Sequence, residues 1–350
     1  MNPVLRVLSP GLLTTIQDNG RPGYQHLGIP VGGALDPVSL AAANLLVGNA
    51  AGTGALEVAY IGPTFVIDAT DAHLSFAGAE ARIEIFQDEA AREGTLIDSM
   101  RSIRLNRGQV VKVGSLRRGA LLYIAVEGGF RVEPVFGSQS TSIRGGFGGW
   151  QGRALSSSDE LPLMQDMASD RVECRLDGLD LGHPRRFRVI AGPQSDYFSE
   201  RAMAEFFQGE YTIRAGSNRM AMRLDGPPIE HSRGFNITSD AIAAGSIQIP
   251  GDGQPIVLLA DRQTTGGYPK IATVISADVP ALGRLPIGSK ITFEPVSMEE
   301  ATAARRKFMA EISGIDDMIM PILSQDFDIT PRLSGMNLIS GAHDAHNFTI

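Results

Sequence analysis

The sequence of 350 residues holds one cysteine, Cys174, so no intramolecular disulfide can form, and a cytoplasmic setting is expected. It also lacks a cationic excess: Lys and Arg number 31 against 39 Asp and Glu, a net charge of −8. Nucleic acids and anionic membranes are recognised by clustered Lys and Arg, so neither is expected as a partner. No run of about 18 apolar residues occurs, which excludes a transmembrane helix. The opening MNPVLRVLSPGLL is interrupted by Arg6 and Pro10 and shows no small-residue cleavage site, so no signal peptide is expected.

Familiar catalytic signatures are missing too. There is no G-x-S-x-G elbow, no H-E-x-x-H and no G-x-G-x-x-G after a strand, so hydrolase-elbow, zincin and dinucleotide readings lack support. GRLPIGSK at 283–290 has phosphate-loop glycines, but its Ser-Lys order misplaces both the lysine and the magnesium-binding hydroxyl. Cys174 sits in the strand-like VECRL and reads as a structural thiol. His343 and His346 have a chelating spacing without a third ligand nearby, so no metal site is expected.

What the chain does have is 40 glycines and 20 prolines, which argues against an all-helical fold. Short apolar or alternating runs at 4–8, 12–16, 55–61, 83–86, 110–113, 121–126, 187–191, 256–260, 271–275 and 291–293 predict strands. Their spacing is too irregular for a solenoid or propeller. Helices are predicted at 36–47, where Asp36 caps and Pro37 opens, at 195–208, and at 297–312. The length favours two lobes. A weak internal repeat agrees: helix, LEVAYIGP, GQVVKV and a Gly-Gly-aromatic step in the first half are matched by helix, MAMRLDGP, GQPIVL and Gly-Gly-Tyr in the second. DGLDLGHP is a plausible linker.

Three glycine-rich polar segments are candidates for chemistry. In 14–37, Gln17, Asp18, Gly20, Arg21 and Gln25 crowd around an Asn-Gly turn, a set suited to a small amide or carboxylate. In 136–153, Arg144, Gly145 and Gly146 lie among hydroxyls, with Phe147 and Trp150 placed to dock on a flat ligand or a partner. In 257–274, a hairpin is predicted to present Asp261, Arg262, Gln263, Thr264, Thr265, Gly266, Gly267, Tyr268 and Lys270 at the mouth of a β-structure. A flexible surface loop or a plain turn is the alternative for each.

TTIQDNGRPGYQHLGIPVGGALDP, STSIRGGFGG, ADRQTTGGYPKIATV and ADVPALGRLPIG together resemble the biotin-dependent carboxyltransferase family, which includes allophanate hydrolase subunit 2, KipA and the C subunit of 5-oxoprolinase. The resemblance runs from about residue 4 to 296. It implies a mainly β fold of two cyclophilin-like β-barrel lobes, 1–180 and 181–296, followed by a helix and C-terminal arm at 297–350. It also implies a partner chain like the B subunit of 5-oxoprolinase, that is, KipI or allophanate hydrolase subunit 1.

The leading activity so implied is that of the C subunit of an ATP-dependent 5-oxoprolinase, opening 5-oxo-L-proline to L-glutamate with the A and B subunits, the ATP bound by the complex. Alternatives are a carboxyltransferase using biotin carried by another chain, with Lys270 as proton shuttle, and a KipA-like regulator that binds a kinase inhibitor. Under the first, Arg262, Arg144 or Lys270 would stabilise charge on the lactam oxygen of a small amide substrate, and Asp18 or Asp261 would act on the ring nitrogen or water.

Overall fold

The computed structural model describes residues 2–322. The chain is mainly β, with four α-helices among the described residues: α1 (Pro37–Leu46), α2 (Glu200–Gln208), α3 (Val279–Arg284) and α4 (Met298–Ser313). The signals read for α1 are all in use. Asp36 accepts from the Val38 N–H, Pro37 stands at the first turn, and Gly48 leaves the helix at φ 73°. The predicted helix at 195–208 is instead a 3₁₀ turn, Ser195–Tyr197, followed by α2 with its own cap, Ser199. A capping box between Ser297 and Glu300 starts α4.

The N-terminal lobe is an eleven-stranded sheet built around two long antiparallel strands, Asp71–Phe86 and Val110–Val126. The sequence pattern caught only their ends. Their middles carry Gly78, Gly114, Arg117, Arg118 and Gly119, breakers that here sit beside bulges in the pairing. At Gly78, φ 125°, a Cβ would lie 2.7 Å from the Leu121 carbonyl oxygen, so only glycine lets the strands approach.

Alternation along Val110–Val126 divides the lobe's apolar residues between two faces. Leu122, Ile124 and Val126 enter a core with Leu5, Ile16, Leu56, Phe65 and Phe76, while Leu121, Tyr123 and Ala125 face α1.

The C-terminal lobe closes as a barrel of seven strands, in the order Arg186–Ala191, Lys270–Val274, Ser246–Gln248, Ile256–Leu258, Ala221–Asp225, Tyr211–Ile213 and Lys290–Pro295. A parallel pair between the first and last strands shuts the ring. The predicted hairpin across 257–274 does not form. Ser246–Gln248 inserts between Ile256–Leu258 and Lys270–Val274 and pairs with both, so the intervening residues are a crossover. Beyond the barrel, α4 carries the chain back to the first lobe, where Ile319–Pro321 pairs with Cys174–Leu176.

Candidate active site

Asp18 follows the strand Leu13–Gln17 and joins the first two glycine-rich segments. Its Oδ1 accepts from Gly20 N at 2.8 Å, Ser138 Oγ at 2.6 Å and Ser140 Oγ at 2.5 Å, and its Oδ2 from Gln139 N at 2.6 Å. A carboxylate with four donors is a tie between loops. Gln17 is buried in the same seam and donates to Thr15 Oγ1 and the Thr141 carbonyl.

Arg21 is fully buried, which is unusual for a guanidinium. Its Nε donates to the Val135 carbonyl, its Nη2 to the Ser140 carbonyl, and its Cζ lies 5.0 Å from the Phe147 ring centroid. Burial lowers its pKa, opposed by Asp18 and Asp261. Gly148 makes room: at φ 71°, a Cβ there would sit 2.2 Å from Ser140 O and 3.0 Å from Arg21 Nη2. Trp150 does not face a ligand; it packs against the N-terminal core.

Between the lobes opens a cavity of about 560 Å³. Leu13, Ile29, Pro30, Arg144, Gly145 and Phe147 line it from the N-terminal lobe, and Asn218, Arg219, Met220 and 261–264 from the C-terminal lobe. Five predicted residues besides Gly145 thus meet across the lobes: Arg144, Asp261, Arg262, Gln263 and Thr264. Arg262 is held from behind, Nε on the Ile242 carbonyl and Nη1 on the Leu259 carbonyl, both at 3.1 Å, and burial lowers its pKa against the pull of Asp261.

Other predicted residues lie elsewhere. Arg21 stands behind Phe147, and Gly20 and Gly146 belong to the loops without lining the cavity. Lys270 is buried, its Nζ on Asp240 Oδ2 at 2.6 Å and the Ala241 carbonyl at 2.9 Å. Thr265 and Gly266 pair with Ala241 and Asp240 and so gather with Lys270 there, while Gly267 accepts from Ile237 N and Tyr268 is exposed. The half-buried Cys174 has its thiol pushed up by burial. The His343 and His346 pair falls outside the described residues.

One heavily bonded group of the site went unread in the sequence. Arg219 grips Asp261 with both prongs, Nε to Oδ2 at 2.9 Å and Nη2 to Oδ1 at 3.0 Å, and reaches across the lobes to Glu57 and to the Gly33 carbonyl at 2.6 Å. Burial opposes its charge, but Glu57 and Asp261 outweigh that and raise its pKa. Glu57 also accepts from Leu35 N and the Tyr123 hydroxyl, whose pKa burial and then Glu57 push up. A lone Glu in the apolar run ALEVA was the available signal for Glu57.

Known proteins share this arrangement of chain. The model for the carboxyltransferase domain, subdomain A and B, matches residues 27–295. The chain is 38% identical to the C subunit of Escherichia coli 5-oxoprolinase, over 87% of this chain and 94% of that protein. It is 37% identical to the corresponding C subunit of Haemophilus influenzae 5-oxoprolinase, over 84% and 91%. The crystal structure of the Kluyveromyces lactis urea carboxylase superposes with a TM-score of 0.79 at 27% identity, covering 93% of this chain and 31% of that one. The chain therefore spans about a third of that enzyme's length.

Proposed function

Because the chain belongs to the carboxyltransferase domain family, subdomain A and B, we propose that it is the C subunit of an ATP-dependent 5-oxoprolinase, opening 5-oxo-L-proline to L-glutamate with the A and B subunits. The observation that carries this reading is the inter-lobe cavity lined by Arg144 from one lobe and Arg262 from the other. The substrate is a small anion with a stable lactam. One guanidinium suits its carboxylate, and the other suits the lactam oxygen as charge develops there. Arg262 is the better placed for the second task, since two backbone carbonyls already fix its side chain.

The lactam resists water because its nitrogen is a poor leaving group. ATP phosphorylates the ring oxygen and leaves as ADP, water adds to the activated carbon, the nitrogen takes a proton as the C–N bond opens, and a second water displaces phosphate from the resulting acyl phosphate to leave glutamate. The donors lining the cavity fit the anionic oxygens of this chemistry. The carboxylate of the lining, Asp261, does not fit a magnesium ion, since both its oxygens accept from Arg219. The ATP is therefore assigned to a surface shared with, or wholly on, the A and B subunits. A cytoplasmic location accords with the lone half-buried thiol.

A second reading is favoured by the likeness to urea carboxylase: transfer of a carboxyl group to an amide or urea nitrogen. Biotin held by another chain would supply that group, and the apolar wall of Leu13, Ile29, Pro30, Phe147 and Met220 fits its flat ring system. The two separate experimentally. The chain co-purified with the A and B subunits, given 5-oxoproline and ATP, is expected to release glutamate without loss on adding avidin. No glutamate from the full set overturns the leading reading, and avidin-sensitive carboxyl transfer supports the second.

A further inference from the structure

Among the described residues lining the inter-lobe cavity, Asp261 is the one carboxylate, and it stands next to Arg262 in the chain. A free carboxylate at that wall would repel an anionic substrate. It is not free: Arg219 occupies both its oxygens, and the Asp261 N–H donates to the Arg219 carbonyl at 3.0 Å. The same guanidinium is tied to the other lobe through Glu57 and Gly33, while Gly32 N donates to the Ala260 carbonyl at 3.3 Å. One side chain thus pairs with Asp261, sharing its charge with Glu57, and pins the strand end before Arg262 to the N-terminal lobe.

We propose that Arg219 is a positioning residue that neutralises Asp261, so that the cavity meets its substrate with the positive charge of Arg144 and Arg262. This rests on reading the cavity as the binding place of an anion such as 5-oxoproline. Removing Arg219 uncovers a negative charge beside the substrate, so the defect belongs to binding and is relieved by removing that charge too. Glu57 keeps two other donors, Tyr123 and Leu35 N, when Arg219 is replaced.

In the complex reconstituted with the A and B subunits, Arg219→Met is expected to raise KM for 5-oxoproline about tenfold or more, with a smaller change in kcat. The double variant R219M/D261N is expected to recover most of that loss. An unchanged KM, a loss confined to kcat, or a double variant no better than the single overturns the proposal. Should Arg219→Met fail to fold, Arg219→Lys, which keeps the charge but not the two-pronged grip, is expected to raise KM about threefold, and an unchanged KM again overturns it.

A second measurement stands apart from the substrate assignment: calorimetric binding of inorganic sulfate to the full chain alone. Binding by the unaltered chain, loss in Arg219→Met and recovery in the double variant support the charge role. No binding by the unaltered chain, or equal binding by all three, overturns it. Absence of glutamate from the wild-type complex would count against the substrate instead.

Discussion

Single residues divide the site's work between groups that face the cavity and groups that hold them. Arg262 is of the first kind, and replacing it with Ala is expected to lower glutamate formation by about a hundredfold or more, the scale on which loss of an oxyanion donor is felt. Full activity of that variant in the reconstituted complex would remove Arg262 from the mechanism. Asp159 lies outside the cavity lining and holds the fold instead, through Arg153 and Ser156. Its two oxygens take a forked pair of bonds from Arg153 at 2.7 and 2.8 Å, and that contact, more than any other, holds its pKa down to about 2 from 3.8. A carboxylate depressed on folding stabilises above its unfolded pKa and loses that contribution as pH falls through the folded one. Stability is therefore expected to drop between about pH 4 and pH 2, and Asp159→Asn to flatten that part of the curve in acid unfolding followed by circular dichroism. The sequence exposed Arg144, Asp261 and Arg262, because polar residues crowded between apolar strands and glycines stand out. It hid Arg219, because a buried ion pair with Glu57, 162 positions away, has no local pattern.

Elements were legible where their signals are local and obscure where pairing is remote. The cap of α1 and the start of α4 could be read because a helix start depends on neighbours within four residues. The order of strands around the barrel could not. Glycines between two apolar runs look the same whether the runs pair directly or take a third strand between them, as Ser246–Gln248 does here. The loop 136–153 shows a further limit: its glycines suggested freedom, whereas Gly148 is a packing necessity against Ser140 and Arg21. Gly148→Ala combines a left-handed backbone angle with a direct clash. It is expected to cost at least about 2 kcal/mol in denaturant unfolding. Activity should fall with it, since Phe147 next door lines the cavity.

On the scale of the whole molecule, the β-rich content accords with the glycine and proline count, and the cavity lies between the eleven-stranded sheet and the seven-stranded barrel. Charged contacts cross that boundary at Glu57 with Arg219 and at Asp36 with Arg284. The chain also crosses it a second time, since α4 and Ile319–Pro321 return to the first lobe and Ile315 is buried beside Leu176. A variant ending at residue 296 is expected to melt several degrees lower and to bind a dye for exposed apolar surface. Melting unchanged from the full chain would show that the return contributes nothing to stability.

That returning strand also sets an order of events during synthesis. The edge Cys174–Leu176 emerges from the ribosome long before its partner Ile319–Pro321 has been translated. Until then the first lobe carries an open edge able to recruit another chain, and its last strand is added only once the second lobe has been made.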